Sequence, residues 1–142
     1  NKWLCGDTES GNLGEITKAV RKEFTDPLVF TMESGPVSAF PADIACPQAT
    51  FDFARGVGDA TGATPDVVEP LVEIQWSDDG GYKWSYPRLR KLGQQSDMRR
   101  RPLRVNKTGR TKNVGRRWRV SCASDVDVIF TGADMAPEAR LA

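Results

Sequence analysis

The sequence predicts an all-β chain whose main body is an antiparallel β-sandwich. Three observations carry this. Eight or so short β-forming stretches recur at turn-rich intervals, as they do in sandwiches. Thirteen Gly and nine Pro accompany few long helical patterns. Between Leu71-Val72-Glu73-Ile74-Gln75-Trp76 and Tyr82-Lys83-Trp84-Ser85-Tyr86 lies Ser77-Asp78-Asp79-Gly80-Gly81. Two β-forming runs joined by Asp-Asp-Gly-Gly make a hairpin, because Asp tolerates the left-handed backbone region and Gly enters it without a Cβ clash.

In chain order, residues 1–17 read as a hairpin. Lys2-Trp3-Leu4-Cys5-Gly6 and Leu13-Gly14-Glu15-Ile16-Thr17 flank the polar turn Asp7-Thr8-Glu9-Ser10-Gly11-Asn12. Such a pair is typical of the outer strands of a β-propeller blade. Lys18 to Asp26 is polar, with Ala19, Val20 and Phe24 as its apolar residues, and fits either a helical turn or an extended crossing. Pro27 to Met32 reads as a strand, punctuated by Glu33-Ser34-Gly35-Pro36.

Pro41 to Pro47 reads as an irregular connection. From Gln48 the chain alternates, with Ala49, Phe51 and Phe53 on one face. Gly56-Val57-Gly58-Asp59-Ala60-Thr61-Gly62 lacks the Gly-Lys-Ser/Thr ending of a phosphate loop, so a connecting loop is expected. Pro65 to Glu69 leads into the hairpin 71–86. Pro87 to Gln95 alternates Arg88, Arg90 and Lys91 with Leu89 and Leu92. Leu103 and Val105 point inward from one later strand, and Trp118, Val120 and Cys122 from another. Asp125 to Ala133 is the closing strand, beyond which the chain is expected to fray. The expected organisation is a propeller-type hairpin and connection over 1–26 and a sandwich domain over 27–142.

Composition narrows the chemistry. The chain of 142 residues contains no histidine, which removes the commonest general base and the usual serine or cysteine triads. Cys5, Cys46 and Cys122 are far apart with no Cys-x-x-Cys, so neither a zinc site nor any other cofactor is expected. Three free, mostly buried thiols are favoured over one disulfide. No apolar run approaches the roughly 20 residues that a membrane span requires. The chain opens at Asn1 without an initiator Met and is expected to be the C-terminal piece of a longer protein.

Charge is segregated. Lys83 to Arg119 holds fourteen Lys and Arg against one acid, Asp97, a net of +13, and the remainder holds six bases and eighteen acids, a net of −12. The candidate surface is Arg99, Arg100, Arg101, Arg104, Lys107, Arg110, Lys112, Arg116, Arg117 and Arg119. Clustered bases bind phosphates by charge and counterion release. Arginines on the outer face of a strand equally suit carboxylates of a neighbouring subunit. Both readings stay open, with subunit contact preferred over DNA. The acid pairs Asp78/Asp79 and Asp125/Asp127 lack the Asn, Glu and aromatic surroundings of a glycosidase, so turn and solvent-face roles are expected.

Ser77, Asp79, Gly81 and Trp84 fit the Asp-box pattern S-x-D-x-G-x-x-W, in which the Asp accepts hydrogen bonds from its own turn and the Trp plugs the hairpin base. This is a folding device found in enzymes and non-enzymes alike. In its wider setting, Val72 to Gly93 resembles the C-terminal region of the phage stabilisation protein family of short-tailed bacteriophages. The shared features are an apolar strand, Ser-Asp-Asp-Gly-Gly-x-x-Trp-Ser and a Leu-Gly turn. Arg99 to Val105, Arg116 to Asp125, Phe51 to Gly58 and Trp3 to Gly11 resemble further patches of that family. Lys107 to Gly115 departs from it, being longer and more basic.

The resemblance implies a non-enzymatic virion protein of the tail hub or nozzle, made in the bacterial host cytoplasm. Its copies would form a hexameric ring below the portal and its adaptor and above the tail needle or distal tail proteins. There they would help retain packaged DNA, with passing contact to the genome. The competing expectations are a carbohydrate-binding sandwich, for which Tyr82 and Tyr86 would form a platform, an Asp-box glycosidase, and a DNA-binding module.

Overall fold

The computed structural model describes residues 2–18, 20–39, 42–61, 64–97, 102–111 and 114–140, the last four as backbone. The chain is all-β and its sheets are antiparallel. Strands β1 (Trp3–Gly6) and β2 (Leu13–Ile16) form the first hairpin, in the register Trp3 opposite Ile16 and Gly6 opposite Leu13. Two-residue strands β3 (Lys22–Glu23) and β4 (Asp26–Pro27) pair around Phe24, whose φ is +53°. The segment that fitted either a helical turn or a crossing is therefore a miniature hairpin.

A four-stranded sheet has the order β5 (Phe30–Glu33), β10 (Arg117–Cys122), β7 (Leu71–Ser77), β8 (Arg88–Lys91). A three-stranded sheet has the order β11 (Phe130–Arg140), β6 (Asp43–Phe53), β9 (Leu103–Asn106). Period-2 alternation explains why both sheets feed one core. Ala49, Phe51 and Phe53 from β6 and Leu103 and Val105 from β9 are buried with Val72, Ile74, Trp118, Val120 and Cys122. Phe51 meets Trp118 edge to face across the two sheets, ring centroids 5.3 Å apart, the offset that aromatic quadrupoles favour.

Several elements differ from expectation, each for a physical reason. Strand β6 starts at Asp43, because Ile44 and Cys46 continue the buried row. Pro47 is tolerated there because the ladder to β11 skips register between Ala136 and Glu138, a bulge that spares the missing donor. Strand β11 does not fray within the described residues; its backbone stays paired to β6 as far as Arg140 opposite Asp43. The alternating Asp125-Val126-Asp127-Val128 is a loop, because both carboxylates are taken by cations: Asp127 by Arg21 at 2.8 Å and Asp125 by Lys22 at 3.8 Å.

Pro65–Val68 makes a single helical turn. The loop before it needs Gly58, since a Cβ there would lie 2.2 Å from the Val68 carbonyl oxygen. The return strand of the central hairpin also shifts. It begins at Arg88 instead of Tyr82, with Ile74 opposite Arg88 and Leu71 opposite Lys91. The turn consumes more residues than its Gly-Gly suggests, and Pro87 has no ladder donor. On β8, Arg88 and Arg90 share the inward row of Ile74 and Val72, while Leu89 is exposed on the outer face.

Candidate functional site

The loop from Ser77 to Trp84 is built by its own side chains. Ser77, buried, donates its hydroxyl to Asp79 Oδ1 at 2.7 Å and accepts the Gly81 amide at 2.9 Å. Asp79 Oδ1 also accepts the Lys83 amide at 2.9 Å. These bonds favour the ionised carboxylate and hold Asp79 below the usual aspartate range, the Lys83 amide foremost and the Ser77 hydroxyl next. Gly80 and Gly81 take φ of +82° and +104°, which L-residues resist. Ser77, Asp79 and Gly81 thus act together as the spacing predicts.

Trp84 is half-buried, and the Arg119 guanidinium carbon lies 3.8 Å from its ring centroid. Arg119 in turn binds Glu33 Oε1 through Nη2 at 2.7 Å and Nε at 2.8 Å. Cation, ring and carboxylate stack across the outer face of the four-stranded sheet.

The basic residues do not form one surface. Arg116 was expected to face a partner and is instead wholly buried, at 0% exposure. Its Nε and Nη2 donate to the two oxygens of Asp78 at 2.7 and 2.8 Å, the planar fork that carboxylates match. Its Nη1 donates to Thr108 Oγ1 at 2.7 Å and its Nη2 also to the Arg110 carbonyl at 3.1 Å. Its guanidinium carbon is 5.8 Å from the Trp76 ring and 5.7 Å from the Trp118 ring. Every nitrogen is satisfied, as a buried cation requires. Asp78 is therefore the structural partner of Arg116 and not half of an acid pair. Nothing in the sequence spacing signals this, because the two residues are 38 positions apart.

Arg117 is half-buried and donates to the Gly80 carbonyl at 3.4 Å. Arg104, Lys107 and Arg110 are exposed. Arg99, Arg100, Arg101 and Lys112 lie outside the described residues. The cationic surface actually presented extends to β8, where Arg88 and Lys91 are exposed and Lys91 pairs with Glu69.

Two other features bear on function. Tyr82 and Tyr86, on the loop before β8, are 91% and 90% exposed. On the opposite side, a cleft of about 330 Å³ opens between β5 and β11, lined by apolar side chains of both sheets together with Glu33 and Asp134. Cys5 is exposed while Cys46 and Cys122 are buried, all as free thiols. Among the described residues, no group of three His, Cys, Asp or Glu side chains is placed to hold a metal ion, and no helix is long and apolar enough to cross a membrane. No protein-family model matches the chain, and no curated protein matches it in sequence.

Proposed function

We propose that the chain is a structural, non-enzymatic protein of a bacteriophage tail. In this reading its copies form a ring below the portal and adaptor that extends the tail channel and helps retain packaged DNA. The paired sheets over 27–142 are read as a β-sandwich, and residues 1–26 as the outer hairpin of a propeller blade with its connection.

The observation that carries the reading is the first hairpin. Trp3, Leu4, Leu13 and Ile16 are all exposed, Trp3 by 76% and Leu13 by 70%. Trp3 and Ile16 share one face, and Leu4 and Leu13 lie on the other. A two-stranded ribbon apolar on both faces is marginal in water by itself and is suited to burial between neighbours, as in a blade or an assembly. The Asp-box, by contrast, spends its polar groups on its own turn and leaves none poised for catalysis.

Electron microscopy of the purified chain at micromolar concentration tests this. The expected result is a ring of copies around a channel. Single compact particles at every concentration would contradict it.

A second reading is favoured by one observation. The nearly full exposure of Tyr82 and Tyr86 fits aromatic stacking on a sugar ring, as in a carbohydrate-binding sandwich. Glycan-array binding lost in Tyr82→Ala and Tyr86→Ala would establish it in place of the tail reading.

A further inference from the structure

The two sheets end in two unlike edges. At one, β8 lies over β9: Arg90 Nε crosses to the Arg104 carbonyl at 2.9 Å, closing the gap between the sheets with a cationic strut. Arg88 and Arg104 are exposed beside it. At the other edge, β5 and β11 stand apart over the apolar cleft, with Met32, Phe51, Phe130 and Met135 among its walls. Asp134 is exposed on the outward row of β11 at its rim, and Glu33 is held by Arg119 on the outer face of the other sheet. Within the described residues, each of these four strands pairs on one side only. An open, apolar sheet edge is a template for another chain unless it is covered.

We propose that the occupant of the cleft is the β8–β9 edge of a second copy. The inference rests on the ring reading above and gives that ring its interface. Charge complementarity selects this partner: the edge that carries exposed Arg88 and Arg104 meets the edge that carries exposed Asp134, and like edges repel. Arginine stems, apolar along their length and charged at the tip, suit an apolar cleft with Asp134 at its rim.

Register adds a specific pair. Asp134 lies opposite Thr50, and Thr50 opposite Arg104, in one row across the three-stranded sheet. Setting β9 of one copy beside β11 of the next continues that row and brings Arg104 against the next copy's Asp134. Because the two patches differ, the contact is head-to-tail and closes into a ring or continues as a filament.

Charge exchange tests the contact, read by sedimentation velocity over a concentration series. Asp134→Arg and Arg104→Glu, both at exposed positions, should each weaken assembly at least about tenfold while unfolding with an unchanged midpoint. The double variant Asp134→Arg/Arg104→Glu should restore assembly, which a merely structural effect of either substitution would not do. If both single variants assemble like the wild type, the edge contact is wrong and the ring reading survives. If the single variants fail and the double fails too, the pairing of these two residues is wrong. A wild-type chain that stays monomeric throughout overturns the edge contact and the ring together.

Discussion

The molecule contains two hairpins built on the same turn device and put to opposite ends. In the first, Asp7 accepts the Glu9 amide at 3.1 Å, the Ser10 amide at 3.2 Å and the Ser10 hydroxyl. In the second, Asp79 gathers the Ser77 hydroxyl and the Lys83 amide. Both carboxylates are held below the usual aspartate range, Asp7 chiefly by the Ser10 hydroxyl and then by the Glu9 amide, Asp79 chiefly by the Lys83 amide. Yet the second hairpin is bolted to the core by Arg116 and by buried Val72 and Ile74, while the first displays its apolar side chains. The same polar turn closes either ribbon. Burial of what flanks the turn decides whether the ribbon belongs to its own domain or to a neighbour.

The largest test of this contrast is Arg116→Ala. It strands Asp78 and Thr108 and should cost about 3–5 kcal/mol in chemical denaturation, the range for breaking a buried pair from one side. Asp78→Ala should fall short of additivity with it, because both remove one contact. Reversing Arg116 to Glu would therefore report on folding and not on assembly. Next, Gly81→Ala places an L-residue at φ +104° and should cost about 1–2 kcal/mol in the same assay.

A pH series sharpens the comparison. Asp79 has a depressed folded pKa, so its contribution is present above the ordinary aspartate value and is lost as pH falls through the folded value. Asp79→Asn should flatten the acid limb of the stability curve. Asp7→Asn should flatten it as well, since the Ser10 hydroxyl and the Glu9 amide hold that carboxyl below its ordinary value too. Smallest of all, Leu13→Ser should shift global stability by no more than about 0.5 kcal/mol, because that side chain is already in water.

Alternation is a local property, and it made much of the fold legible. Ala49, Phe51, Phe53, Leu103, Val105, Trp118, Val120 and Cys122 all face the core as their spacing indicates. The Ser77-Asp79-Gly81 turn was legible for the same reason, since its bonds close within a few residues. What escaped depends on partners distant in sequence. Arg116 stands beside Arg117 and Trp118 like any strand-face cation, and only the meeting of β7 with β10 supplies Asp78. The Asp125-Val126-Asp127-Val128 pattern reads as a strand until Arg21 and Lys22 are brought against it. The alternation of Leu89 with arginines leaves its face open, and only its register with Glu73 turns it outward. The ends of β6 and β11 escaped because Pro47 and Pro137 resemble breakers, and a shared bulge removes the conflict.

Native-state hydrogen exchange on the unassembled and assembled chain tests the central contrast most directly. The β7 amides should exchange only with global unfolding in both states. The β1–β2 amides should exchange at least about a hundredfold faster in the unassembled chain, by local opening, and slow on assembly. Equal protection of the two hairpins in the unassembled chain, or no gain for β1–β2 on assembly, would contradict it.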